Sequence, residues 1–193
     1  MAANFEPILT IADLAAIPED GNCYELIEGE LFVSRAPSLK HQDIVLNIGH
    51  AFKKYLAQHP IGKIWPGPGV IFSNISGVIP DLVYLSKESR AEIAQGERVE
   101  GAPDLIIEIL SPGSDNERRD RQVKRQLYSK YQVKEYWIID PEAHTLEIFR
   151  AKEKTGKRKL SAAPVATLRS ADKITSPLLP DFHCLVEEFF QDV

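Results

Sequence analysis

The chain has 193 residues, 44% hydrophobic and 26% charged, with a formal net charge of −5. That length suits one well-packed domain over residues 1–193, and the composition is that of an ordinary soluble globular protein. No apolar run approaches the ~20 residues that span a bilayer, the first ten residues lack the basic and apolar regions of a signal peptide, and Cys23 and Cys184 are too far apart for a disulfide framework or a CxxC zinc site, so a cytoplasmic protein with two small buried thiols and no membrane partner is expected.

Net acidity argues against a nucleic-acid partner, because backbone binding is dominated by Lys and Arg. The distribution softens that objection. Residues 1–50 carry eight acids and two bases, whereas residues 114–160 carry thirteen bases and eight acids.

From Thr10, the run TIADLAAIP has a capping hydroxyl and helical apolar spacing, which predicts a short helix stopped before Pro18. Residues 23–35 read as a hairpin turning at Glu28-Gly29, with Tyr24 and Leu26 facing Leu31 and Val33. Glu25 lies beside that apolar set and reads as a surface strand residue. Ser38 caps a helix reaching about His59, with Ile44, Ile48, Ala51, Phe52 and Tyr55 on its apolar face and His41 in its first turn. Residues 61–74 give two strand-like pieces around a Pro-Gly-Pro-Gly turn, and VIPDLVYLS, 78–86, reads as an apolar strand interrupted by Asp81.

A polar helix and loop over 87–101 lead to DLIIEIL, 104–110. This aliphatic run between Pro103 and Pro112 reads as a central strand covered on both faces. Alternation puts Asp104, Ile106, Glu108 and Leu110 on one of those faces. A buried carboxylate costs several kcal/mol unless it is paired or bound to a metal, so something positive should face Glu108. The next helix, about Asp115 to Gln132, has Val123, Leu127 and Tyr131 as its expected core stripe and Asp120, Lys124 and Tyr128 beside it. Lys124 is the first choice of partner, since a bordering lysine can lay its stem along the sheet. Arg118, Arg119, Arg121 and Arg125 make the same helix basic; they are candidates for contacting nucleic acid, or simply a solvated face.

KEYWIIDPEAHTLEIFRA then reads as two strands turning at Pro141 to His144, followed by a basic solvated tip, AKEKTGKRKLSA. The chain ends in a short strand-like stretch and a helix using Leu185, Val186, Phe189 and Phe190, with Pro180 and Asp181 at the helix start. There are no repeats, and the glycines at 67 and 69 lack a P-loop lysine. The predicted order αββαβββαββ fits an α/β or α+β domain around a mixed sheet.

Asp81, Glu108 and Lys124 together give two acids and one cation converging on a sheet edge. Mg²⁺ binds through one or two carboxylates and keeps its waters; such an ion stabilises charge on a phosphodiester and activates water, so the chemistry is hydrolytic. At YELIEGEL, the histidine of KHQDIV, IPDLVYLS, PDLIIEILSP and DRQVKRQLYSKYQVKEYWIIDP, nearly the whole chain resembles the PD…(D/E)xK nuclease superfamily, and more closely the bacterial "Uma-two" family of "putative restriction endonucleases".

The resemblance implies a restriction-endonuclease-like core, a mixed central sheet flanked by helices, and a metal-dependent endonuclease acting on DNA, or RNA, with Mg²⁺ or Mn²⁺. It implies Asp81 and Glu108 as metal ligands and catalytic acids. Leu110 stands where the wider superfamily has its lysine, and the resemblance implies that this role has moved to Lys124. Glu25 and His41 match family positions and are supporting candidates, as is Asp104. Three alternatives stand beside this reading: a catalytically inactive nucleic-acid or protein-binding module on the same fold, a buried ion-pair network without catalysis, and a nuclease that works only as a homodimer or with a separate partner.

Overall fold

The computed structural model describes residues 8–18, 20–94, 96–154 and 156–193. Most of the N-terminal stretch read for targeting signals, together with one position in the loop after residue 94 and one at the basic tip, lies outside the described residues.

Helix α1 (Ile11–Leu14) forms as predicted, with a reciprocal cap between Thr10 and Asp13. Strands β1 (Cys23–Ile27) and β2 (Glu30–Ser34) pair with Tyr24 opposite Val33 and Leu26 opposite Leu31. Their two-residue turn needs two positive φ angles, supplied by Glu28 (53°) and Gly29 (86°). Helix α2 (Leu39–Gln58) starts at the Ser38 cap and buries Ile44, Ile48, Phe52 and Tyr55. Strands β3 (Gly62–Pro66) and β4 (Val70–Ser73) follow.

Residues 78–86 are not one strand. β5 (Ser76–Val78) ends before Pro80 and β6 (Leu82–Ser86) begins after it, in a different sheet. Proline has no N–H for a ladder, so the chain changes partners there, and Asp81 sits at the crossing. Helix α3 (Lys87–Ile93) precedes a two-residue strand, β7 (Val99–Glu100), that the polar sequence did not signal. β8 (Leu105–Ile109) is the expected covered strand.

The helix after β8 has three parts: α4 (Ser114–Arg118), a π-helical turn (Arg119–Lys124) and α5 (Arg125–Lys130). Its buried side chains are Asp120, Lys124, Leu127 and Tyr128, while Val123 and Tyr131 are only half-buried. The polar stripe beside the predicted core stripe therefore also faces the sheet, more fully than Val123 and Tyr131 do. The wider π turn presents it to the sheet's carboxylates.

β9 (Glu135–Asp140) and β10 (Thr145–Lys154) form the predicted hairpin, extended by β11 (Lys157–Leu160) and β12 (Ala166–Arg169). At the C-terminus the expected strand-like stretch is a hairpin of β13 (Lys173–Ser176) and β14 (Leu179–Leu185), and the expected helix shrinks to a 3-10 turn (Val186–Phe190) that holds Val186, Phe189 and Phe190. Pro180 and Asp181 lie within β14, with Asp181 at φ 60°. The four apolar residues that suggested a helix instead straddle a strand end and one tight turn.

The architecture is mixed α/β. The main sheet has the order β11-β10-β9-β8-β6-β3, with β12 also on β10, and β8 and β9 are its parallel pair, joined by the helical crossover. A second sheet, β2-β1-β5-β4-β7, lies over the same face as the crossover helix. One face of β8, with Leu105, Ile107 and Ile109, packs on α2 and the C-terminal hairpin; the other, with Ile106 and Leu110, packs under the crossover helix and the second sheet. Glu108 belongs to that second face. Among the described residues no helix is long and apolar enough to cross a membrane.

Candidate active site

β6 and β8 run antiparallel with Leu82 opposite Ile107, so one step further along the register Asp81 stands beside Glu108. Each acid is held differently. Asp81 Oδ2 accepts the Ile109 N–H at 2.7 Å, and its Oδ1 lies 2.9 Å from His41 Nε2, a contact that puts the proton on that nitrogen. The Asp81 side chain keeps 21% exposure, whereas His41 is buried and its Nδ1 has no hydrogen-bond partner among the described residues.

Glu108 Oε1 accepts from Lys124 Nζ at 3.0 Å and from the Tyr128 hydroxyl at 2.6 Å. Lys124 Nζ also lies 3.0 Å from Glu25 Oε1 and 3.8 Å from Asp120 Oδ1. Glu25 Oε1 in turn accepts the Ile79 N–H at 2.9 Å, which joins β1 to the β5–β6 crossing. The sequence reading of Glu25 as a surface residue is corrected by its burial, 4% exposed.

One ammonium among three buried carboxylates sets the electrostatics. Burial pushes Glu108 up to about 8; Lys124 opposes this, while Asp81, Asp120 and Glu25 reinforce it. Burial alone would discharge Lys124, but Glu108, then Glu25 and Asp120, more than reverse it, so the amine stays protonated. Asp120 is likewise raised by burial, against Lys124 and Arg119. The Tyr128 phenol is driven well above its ordinary range by burial and by Glu108, which keeps its proton available to donate. Lys124, with Arg119 beside Asp120, thus leaves the Glu108 charge under-compensated, a demand that a proton or a further cation meets.

Glu25, Asp81, Glu108, Asp120 and Lys124 line an open cleft of about 810 Å³, whose wall also holds Arg119 and the first turn of α2. Asp104 is not brought to it. Four residues, roughly 13 Å, back along β8, its carboxylate accepts the Ser86 N–H at 2.7 Å and the Ser89 hydroxyl at 3.0 Å and pairs with Lys134. Asp104 thereby fastens the start of α3. Among the helix arginines, Arg119 turns inward toward Asp120, Arg121 pairs with Asp140 and Glu147, and Arg125 donates to the carbonyls of Arg121 and Ser161. Arg118 is exposed and makes no ion pair among the described residues.

Asp120 and Tyr128 enter the site without having been sequence candidates. Their signal was present, since both share the i, i+4, i+8 stripe of Lys124.

Among the described residues no three carboxylate, imidazole or thiol groups converge closely enough to hold a metal by themselves. A hard divalent ion needs less, because it takes one or two carboxylates and keeps its waters. Asp81 and Glu108, at adjacent register positions on the cleft wall and with the Glu108 charge under-compensated, fit such an ion.

A carboxylate on β8 and another just before β6, on a mixed sheet beneath a crossover helix that delivers a lysine, go with a restriction-endonuclease-like fold. More particularly, the chain belongs to the Uma2 family, whose model, "Putative restriction endonuclease", matches residues 11–187. It is similar in fold to a solved structure described as "a putative nuclease belonging to DUF820 from Anabaena variabilis ATCC 29413". The TM-score is 0.70 at 19% identity, over 94% of this chain and 97% of that one. No curated protein matches the sequence.

Proposed function

We propose that this protein is a metal-dependent endonuclease that hydrolyses phosphodiester bonds in DNA, with Asp81 and Glu108 holding Mg²⁺ or Mn²⁺ and Lys124 serving as the charged catalytic group. The observation that carries the reading is the placement of Asp81 and Glu108 at adjacent register positions on the cleft wall, with the Lys124 ammonium 3.0 Å from Glu108. A divalent ion bound there would supply charge stabilisation at the phosphate and a more acidic water. The chain's own contribution is positional. Tyr128 and Lys124 fix one Glu108 oxygen, the Ile109 N–H and His41 fix both Asp81 oxygens, and Glu25 and Asp120 hold the ammonium in place. Lys124, kept protonated, opposes negative charge developing on the phosphoryl oxygens. Cutting both strands of a duplex calls for two such sites, so a homodimer belongs to the proposal, as does action in the cytoplasm.

The test is cleavage of plasmid and oligonucleotide substrates with Mg²⁺ or Mn²⁺ by Asp81→Ala and Glu108→Ala. Each should fall by about 100-fold or more; parent-like rates from either folded variant would overturn the assignment. A second reading, a binding module without catalysis, is favoured by the Lys124 ammonium already lying between Glu25 and Glu108. Titrating Mn²⁺ into the protein by calorimetry separates the two: saturable binding lost in Glu108→Gln supports the nuclease.

A further inference from the structure

A second cleft, of about 440 Å³, lies between α5 and β11, lined by Arg125, Lys130, Lys157, Arg158 and Lys159 with Gln126, Ser129 and Gln132. Among the described residues five cations and no carboxylate form its walls. The sequence suggested a solvated tip here, but the strand is fastened to the helix. Ser129 Oγ accepts the Leu160 N–H at 3.1 Å, and Gln132 Oε1 accepts the Arg158 N–H at 3.2 Å. Arg125 is held on the Ser161 carbonyl and over the Phe149 ring. Lys130 shares its charge with Glu28, yet Lys157, Arg158 and Lys159 are exposed and make no ion pair among the described residues, although Glu153 stands opposite Arg158 across the hairpin. Unpaired cations crowded on a pinned strand raise one another's energy, and a polyanion relieves that repulsion.

Both clefts are built on one helix. Asn116, Arg119, Asp120 and Lys124 line the first, and Arg125, Gln126, Ser129 and Lys130 line the second. Arg119 and Ser129 are ten residues apart, at most about 15 Å of helix, which is about four base-pair steps along a duplex axis. Resting on the nuclease reading, we infer that the α5–β11 groove is a second nucleic-acid contact, gripping the sugar-phosphate backbone several nucleotides from the bond presented to Asp81 and Glu108. Contacts of this kind carry no base readout, so they add affinity without sequence preference.

The experiment is binding of a 30-base-pair DNA duplex by fluorescence anisotropy in chelator, across a series of KCl concentrations, with single-turnover cleavage measured separately at saturating duplex. Lys157→Ala/Arg158→Ala/Lys159→Ala alters only exposed side chains. It should bind about tenfold or more weakly at 0.1 M salt and lower the slope of log K against log salt by about 2 to 3, near one per phosphate contact, with the saturated cleavage rate unchanged. A control pair on α2, Lys53→Ala/Lys54→Ala, should leave the slope alone. Parent-like binding and slope in the triple variant, or an equal loss in the control pair, would overturn the inference. If the triple variant loses binding as expected while Asp81→Ala cleaves like the parent, the groove stands and the assignment of the catalytic acids falls.

Discussion

Lys124 shows how much one side chain can decide. It is the shared cation of Glu25, Glu108 and Asp120, all of them buried. Removing one partner of a buried ion pair costs about 3–5 kcal/mol because the other charge is stranded, and Lys124→Ala is expected to lose about that much in urea unfolding with chelator present. The deficit should depend on pH. Glu108 has its folded value raised to about 8 from an ordinary 4.5, so the stability it contributes is complete below the lower value and is lost as pH rises through the upper one. Without the ammonium the folded value climbs further, so the loss extends beyond pH 8; the Lys124→Ala deficit should be smallest near about pH 5 and largest near about pH 9. A deficit flat in pH would show that Glu108 does not answer to Lys124. Glu108 was legible as an anomaly because an acid interrupts an aliphatic run. Glu25 was not: alternation says which residues share a hairpin face, but not which face another element will cover.

At the scale of elements, the stretches carrying the acids were legible and the joints within and between them were not. Periodicity found β8 and the β1–β2 hairpin, and the Ser38 cap found the start of α2. The break at Pro80 was written in the sequence, but local pattern cannot say that the two halves of an apolar run belong to different sheets. The π turn has no residue marker, and its effect is to bring a polar stripe inward where spacing alone favoured Val123 and Tyr131. Edge strand β3 offers a sharper test. A Cβ at Gly62 would stand 2.3 Å from the Leu85 carbonyl oxygen and 2.6 Å from the Tyr84 ring. That oxygen belongs to backbone, so Gly62→Ala must push β3 away from β6 and should cost about 1–3 kcal/mol in thermal unfolding. An unchanged midpoint would mean that the pairing is looser than the register implies.

For the molecule as a whole, the main sheet serves both apolar cores. Phe52 lies in the core beneath α2 and Leu127 in the core beneath the crossover helix, and β8 and β9 contribute side chains to each. A layer that loses its shared strands has nothing left to pack on, so one cooperative unfolding transition is expected. Phe52→Ala and Leu127→Ala should each shift that whole transition, by about 3–5 and about 2–5 kcal/mol; two resolved transitions would show the layers melting separately. Hairpin β1–β2 and the crossover helix are also joined at two places, Glu25 to Lys124 and Glu28 to Lys130. Two rungs of different spacing on each rail act as a vernier, so the chain length between them cannot drift on either side. Insertions and deletions in homologues should therefore collect in stretches such as 161–165 and 170–172 and be missing between 25 and 28 and between 124 and 130, a pattern that also marks where a tag or a chimeric junction can be set without disturbing the cleft.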